Sequence, residues 1–541
     1  MQLKLSVADL FAVVGFMTQC KAEDVLVTVQ QGTLRGTTAI GVYNTSYTAF
    51  RGIPFAEPPV GELRFQAPRP ARCWSGVRDA TRYGSDCVQQ NGAGSEDCLY
   101  LNVYVPGVPQ EGAQLPVFFW VFGGGFIFGG GSDQQYGPDF LVSYGVILVT
   151  VNYRLGALGF LSTRDAAAPG NAALKDQQLA LRWVRRNIAR FGGDPQRVTL
   201  AGQSSGGGSV SLHLVAPHSA GLFSRAIIQS GNFISRQVIA DEARQHAFNL
   251  GAALGFHTND SHALVDFLRT VNATDLLVDN SLILSDEEKT ILVPVVWGPS
   301  IEADLAGAFI SEAPIKVLNE GRFCRVPILT GVTSGETGFS ILNQAAVIDR
   351  LDKAFQSVVG PCLHLSTTTQ QADAASKLRD FYFGNGTISV DDPVPLVNFN
   401  NDIQNFEPTD AFVRKVVEVS NVPTYYYEFD YRGENVNKTQ WGVTHNGELP
   451  FLFLRNGVNY NLDPNSEEDR VRRHFLHIWT NFAKHGIPTP WTDPVIWHPY
   501  NATSRNYLLM QANFTVAHDR LGERMGFWHQ NVPLMPFPGT F

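Results

Sequence analysis

Arg197-Val198-Thr199-Leu200-Ala201-Gly202-Gln203-Ser204-Ser205-Gly206 runs a short β-branched, apolar segment straight into the pattern G-x-S-x-G. Residues 207–214 behind it read as a helix. A serine placed between a strand and a helix in this way sits on a turn so tight that small residues must flank it. The turn lifts the hydroxyl clear of the strand ends, which is the geometry of a nucleophile elbow. Five residues alone would equally suit a glycine-rich surface turn with exposed serines. The strand before and the helix after them favour the elbow.

Working outward, residues 116–122 and 146–152 form two more apolar, β-branched or aromatic runs. Between the second of these and the elbow strand lies 171–190, in which Leu174, Leu181, Val184 and Ile188 fall near one helical face. Strand, helix, strand repeated in this way predicts a parallel sheet covered on both faces, an α/β protein. The chain has 541 residues, 44% hydrophobic and 17% charged. Charge this sparse with so much apolar material excludes a disordered chain and a coiled coil and leaves ample residues for one large core. No repeat and no Pro- or Ser-rich linker divides it, so residues 23–541 are expected to form a single domain.

Lys and Arg number 41 against 50 Asp and Glu, a net charge of −9, with no basic domain to attract a phosphate backbone. Arg182, Arg185, Arg186 and Arg190 surround Trp183 at helical spacing and read as a solvated helix face, not a nucleic-acid patch. No apolar run reaches the roughly 18 residues that a membrane span needs. Lys4, the mostly apolar stretch 5–17 and Cys20-Lys21-Ala22 have the layout of a secretory signal cleaved after Ala22. Asp9 interrupts that stretch, and a buried N-terminal helix is the alternative. Seven N-x-S/T sequons, at Asn44, Asn259, Asn272, Asn385, Asn437, Asn501 and Asn513, also suit an exported glycoprotein. Residues 535–541 are Pro-rich and too short in apolar residues for a lipid-anchor signal, so the product is expected to be soluble and extracellular. Six cysteines are too few for a disulfide scaffold, and loss of Cys20 leaves an odd number. Cys87 and Cys98, either side of a loop at 91–95, form the best local pair.

About 80 residues before the elbow stands Phe122-Gly123-Gly124-Gly125-Phe126, again at a strand end. Acyl transfer builds negative charge on a carbonyl oxygen, and backbone N–H donors aimed at it are each worth a factor of about 10²–10³. Gly124, Gly125 and the N–H of Ser205 could make such an oxyanion hole. A serine nucleophile also needs a base and an acid that orients the base. After an elbow of this kind they follow in the order acid, then histidine. His445, in a loop-like Gly-Val-Thr-His-Asn-Gly-Glu stretch, is the leading base, because His474, His477 and His485 lie in or beside a helix where packing explains them. Glu336, in Gly335-Glu336-Thr337-Gly338 after the strand-like 326–330, is the leading acid, with Glu302 and Asp304 as rivals. No metal or cofactor is called for.

Several longer motifs resemble the type-B carboxylesterase/cholinesterase family, most of all arthropod secreted carboxylesterases. They are FRGIPFAEPPVGELRF at 50–65, SEDCLYLNVYVP at 95–106, VFGGGF at 121–126, NYRLGALGFLS at 152–162, GNAALKDQQLALRWVRRNIARFGGDP at 170–195, the elbow, GVTSGETGF around Glu336 and HNGELPFLF from His445. The resemblance runs from about Gly32 to about Tyr507. It implies an α/β-hydrolase fold with a large, mostly parallel central sheet and helices on both faces. It implies ester hydrolysis through an acyl-enzyme intermediate, with Ser204, Glu336 and His445 as triad and Gly124, Gly125 and Ser205 as oxyanion donors. By the same resemblance Ser230 supports the acid, Cys87 pairs with Cys98, and Arg51–Glu96 and Arg154–Asp176 are structural ion pairs. The partner implied is a small-molecule ester; the oligomeric state is not.

Departures narrow the substrate. The family's second disulfide would stand where Phe256 and Phe267 are found, and Cys73, Cys324 and Cys362 have no evident partners. The loop between Cys87 and Cys98 is short and lacks the Trp that binds choline in cholinesterases, which argues against a choline-ester specialist. Position 203 is usually acidic in the family. Gln203 removes a negative charge beside the base, which should lower the pKa of His445. It resembles the Gly-Gln-Ser-Ala-Gly elbow of juvenile hormone esterases, with Ser205 in place of the Ala. A specialist of that kind is one alternative. A non-catalytic adhesion or binding protein, of the sort some family members have become, is another, and the three filled triad positions oppose it.

Overall fold

The computed structural model describes residues 24–533 except positions 364, 491, 492 and 494. The expected signal at 1–22 and the C-terminal stretch 535–541 lie outside the described residues. The strands in chain order are β1 (Asp24–Val29), β2 (Gly32–Ile40), β3 (Ser46–Pro54), β4 (Val77–Asp79), β5 (Tyr100–Pro106), β6 (Leu115–Val121), β7 (Ile147–Val151) and β8 (Gly193–Gln203). They continue with β9 (Arg225–Gln229), β10 (Ile328–Thr333), β11 (Thr424–Phe429), β12 (Lys438–Thr439), β13 (Gly442–Val443), β14 (Asn506–Met510) and β15 (Phe514–His518).

Thirteen of these strands, among the described residues, join in one sheet of order β1-β2-β3-β5-β7-β6-β8-β9-β10-β11-β14-β15, with β4 on β2. The block from β7 through β14 is parallel throughout, and antiparallel strands flank it on both edges. The parallel block is apolar because helices cover both its faces. Residues 117–121 of β6, 147–149 of β7 and Val198, Leu200 and Ala201 of β8 are fully buried. This is the α/β-hydrolase architecture.

The three strands expected from the sequence appear within a few residues of their predicted ends. The expected helix at 171–190 is α-helical over Ala172–Asn187, then tightens into a 3₁₀ turn at Ile188–Phe191 that Gly192 ends with φ +84°. The helix after the elbow starts at Ser205 and runs to Val215.

Of the two family ion pairs, Arg154–Asp176 is formed and buried, its guanidinium bridging both carboxylate oxygens at 2.8 and 2.6 Å. The other expectation is corrected. Glu96 is held by Arg64, at 2.7 and 2.6 Å, and Arg51 turns instead to Tyr83 and Asp133. Both arginines belong to the same motif, but only Arg64 has its remaining N–H groups satisfied beside Glu96, by the carbonyls of Leu268 and Val271. Cys87 and Cys98 form the expected disulfide, and Cys73, Cys324 and Cys362 are free thiols. Where the second disulfide would stand, Phe256 and Phe267 stack with ring centroids 4.5 Å apart. A pair of aromatic rings thus replaces the missing covalent link by packing.

Candidate active site

In an open parallel sheet the ligand crevice lies at the carboxyl ends of the strands, where connections diverge. Residues at the ends of β6, β8, β9 and β10 meet there. Ser204 follows β8 directly, with φ +59° and ψ −129°, a backbone conformation that L residues rarely adopt. The flanking glycines permit it: a Cβ on Gly206 would lie 2.2 Å from the carbonyl oxygen of Val121, and one on Gly202 would lie 2.5 Å from that of Gly206. The N–H of Ser204 donates to Gln229 O of β9 at 2.8 Å, which pins the turn to the next strand.

The glycine loop after β6 abuts this turn. Gly124 and Gly125 have φ +122° and +61° and are exposed, and among the described residues neither N–H donates to an acceptor within the chain. The N–H of Ser205 opens a helix, where no intrahelical acceptor exists. Its hydroxyl accepts from Phe126 N at 3.3 Å and ties the elbow to the glycine loop.

Glu336 lies just beyond β10 and is fully buried. Its Oε2 stands 2.5 Å from Nδ1 of His445, and its Oε1 accepts from Thr333 N at 2.9 Å. A bridge between Glu336 and Thr444, with His445 N donating to Glu336 O at 3.1 Å, fixes the two loops together. Burial alone would raise the Glu336 carboxyl. His445, Ser230 and the amide of Thr333 outweigh it and hold the pKa below the usual range. Ser230 lies close enough to contribute, though its Oγ makes no hydrogen bond of good geometry. Burial alone would lower His445, and the Glu336 carboxylate outweighs it, so the imidazole pKa is raised.

The other ring nitrogen, Nε2, meets the side-chain amide of Gln203 at 3.1 Å. Gln203 immediately precedes Ser204, so the imidazole reaches the elbow, while Ser204 Oγ itself makes no hydrogen bond to it among the described residues. Such contacts are often long before substrate binds.

The rivals lie elsewhere. Glu302 is engaged by Lys175, Asn171 and the N–H of Phe309, and Asp304 is exposed. His477 pairs with Asp493, and His474 packs edge-on against Phe514.

One group escaped the sequence reading. Glu448, in the quoted HNGELPFLF motif, is fully buried near Glu336 and His445 and accepts from Gln229 Nε2 at 2.9 Å, while Trp479 Nε1 donates to Gln229 Oε1 at 3.1 Å. Burial first, then the Glu336 charge, push its carboxyl up to about 6. Only its place in an apolar run of residues, three after His445, could have marked it.

A model of the carboxylesterase family matches residues 23–528. The chain belongs to that family. It is a carboxylic ester hydrolase and is similar along most of its length to enzymes of that kind. Juvenile hormone esterase of Tribolium castaneum is 35% identical, with 95% of each chain covered. Venom carboxylesterase-6 of Apis mellifera is 32% identical over 90% of this chain and 89% of its own. Acylcarnitine hydrolase of Mus musculus is 33% identical over 90% and 87%. No helix among the described residues is long and apolar enough to cross a membrane.

Proposed function

We propose that this carboxylesterase is a secreted serine esterase working through Ser204, His445 and Glu336. The observation that carries the reading is the 2.5 Å contact of Glu336 with Nδ1 of His445, which leaves Nε2 facing the residue before Ser204. Held as the Nδ1–H tautomer, the ring has its lone pair on Nε2. There it takes the proton of Ser204 as the hydroxyl attacks the ester carbonyl. Negative charge on the carbonyl oxygen is met by the N–H groups of Gly124, Gly125 and Ser205. His445 returns the proton to the departing alcohol, and water then hydrolyses the acyl-Ser204 with the same base. Ser230 supports the acid. Neither metal nor cofactor is required.

Residues 1–22 are read as the leader and 23–541 as one α/β-hydrolase domain. All seven sequon asparagines are exposed, which supports glycosylation. One observation favours a specialised substrate: Gln203 in the elbow, together with the similarity to a juvenile hormone esterase. The test is kcat/KM for the secreted protein over short and long acyl esters, a choline ester and juvenile hormone, with Ser204→Ala as blank. Loss of all turnover in the blank is expected, and a preference of about 100-fold for juvenile hormone would mark a specialist. Undiminished turnover by Ser204→Ala would overturn the reading.

A further inference from the structure

Residues 398–405, Asn-Phe-Asn-Asn-Asp-Ile-Gln-Asn, bury an unusual number of amides. The α-helix Pro393–Asn401 passes into a π-helical turn, Asp402–Phe406, and then into the helix Glu407–Val419. A single π turn inside an α-helix is rare and is often found at functional sites. Asn400, Asn401 and Asn405 are 1%, 3% and 6% exposed, so each must find partners or cost stability.

Most of their partners lie outside their own helix, on the segment after Glu336. Asn401 Oδ1 accepts from Gly338 N at 2.6 Å, and Asn400 Nδ2 donates to Gly338 O at 3.3 Å. Thr337 Oγ1 lies 3.1 Å from Gln404 Oε1 and 3.2 Å from Asn405 Oδ1, and Gln404 Nε2 donates to Asn400 Oδ1 at 2.6 Å. The fit is close: a Cβ on Gly338 would lie 2.3 Å from Asn401 Cγ. The turn also holds the segment after Ser230. Ser235 Oγ donates to Gln404 O at 2.9 Å, Arg236 to Ile403 O at 3.2 Å, and Gln237 Nε2 to Gln404 Oε1 at 2.7 Å.

Glu336 itself has φ +31°, a strained backbone conformation that persists only if its surroundings fix it. The preceding residues are fixed by Ser334 N to Phe429 O at 3.0 Å and Gly335 N to Val443 O at 2.9 Å. The following two residues, Thr337 and Gly338, are fixed by the amide turn.

We infer that the π turn and its amides, acting through Thr337 and Gly338, are the positioning device that holds Glu336 in register with His445. The inference rests on the reading of Glu336 as the triad acid. Thr337, Asn400, Asn401 and Gln404 are positioning residues, acting through the backbone beside Glu336. Displacing a catalytic group by about 1 Å costs on the order of 100-fold in rate, so a partial loosening should be measurable.

The test uses Thr337→Val, which keeps shape and loses the hydroxyl, Thr337→Ser, which keeps the hydroxyl, and Asn401→Ala. Active sites are titrated with a fluorophosphonate, and hydrolysis of p-nitrophenyl acetate is followed from pH 5 to 9, with Ser204→Ala as blank. Thr337→Val and Asn401→Ala should each lower kcat per titrated site roughly tenfold with KM within about twofold. The charged groups raising His445 are Glu336 and Glu448. A loosened Glu336 should therefore move the acid limb of kcat down by about half a pH unit. Thr337→Ser should restore both. A role confined to folding would reduce the number of titrated sites and leave both quantities per site unchanged, which would overturn the inference. Should Asn401→Ala not fold, the Thr337 pair decides alone. Activity persisting in Ser204→Ala would instead condemn the triad reading.

Discussion

Gln203 places its amide nitrogen 3.1 Å from Nε2 of His445, opposite the ring nitrogen that Glu336 engages. An amide N–H suits the lone pair of a neutral imidazole and opposes the N–H of an imidazolium. A carboxylate at the same point would do the reverse. Gln203→Glu should therefore raise the pKa of His445, and the acid limb of kcat/KM should move up by roughly 1 pH unit. A pH profile on a neutral ester checks it. An unmoved limb would mean that the amide does not sense the ring's charge.

Glu448 gives a stability prediction. Its carboxyl stands at about 6 in the fold against an ordinary 4.5. The fold thus binds this proton more tightly than the unfolded chain does. The resulting stabilisation is full below about pH 4.5 and is lost as pH rises through about 6, a difference of about 2 kcal/mol. Glu448→Gln keeps the Oε1 acceptor for Gln229 and removes the ionisation. Urea unfolding at pH 4 and pH 7.5 should find the variant gaining about 2 kcal/mol on the parent between the two values. Parallel pH dependences would contradict the assignment.

The Arg154–Asp176 pair is almost wholly removed from solvent, with side chains 3% and 0% exposed. Arg154→Met should cost about 3–5 kcal/mol, because it strands a buried carboxylate. Adding Asp176→Leu should return much of that loss, since the stranded charge goes with it. Denaturant midpoints for the two variants measure the difference. A double variant no more stable than the single one would place the cost elsewhere.

The elbow and its strand were legible because local patterns carry them: an apolar strand, a serine between glycines, and a helix. Loop ends such as Glu336 and His445, 109 residues apart, share no local pattern. Residue chemistry alone left Glu302 and Asp304 open as acids beside Glu336, and the resemblance to the family is what favoured Glu336. Arg64 and Arg51 show the limit of that help. Both stand in one motif, and the carbonyls of Leu268 and Val271, 204 and 207 residues from Arg64 in sequence, favour Arg64 as the guanidinium that faces Glu96. Glu448 and the amide turn at 400–405 stayed hidden for a related reason. Their significance lies in what they touch across the fold, and neither hydrophobic period nor spacing records that.

The central claim is that Ser204 carries the acyl group. It is tested most directly by treating the enzyme with an aryl dimethylcarbamate, whose carbamoyl-enzyme hydrolyses slowly, and locating the added mass by peptide mass spectrometry. The account predicts one carbamoyl group, on Ser204, formed in step with loss of activity and absent from His445→Ala on the same timescale. Inactivation with the label on another residue, or with Ser204 unmodified, would contradict it.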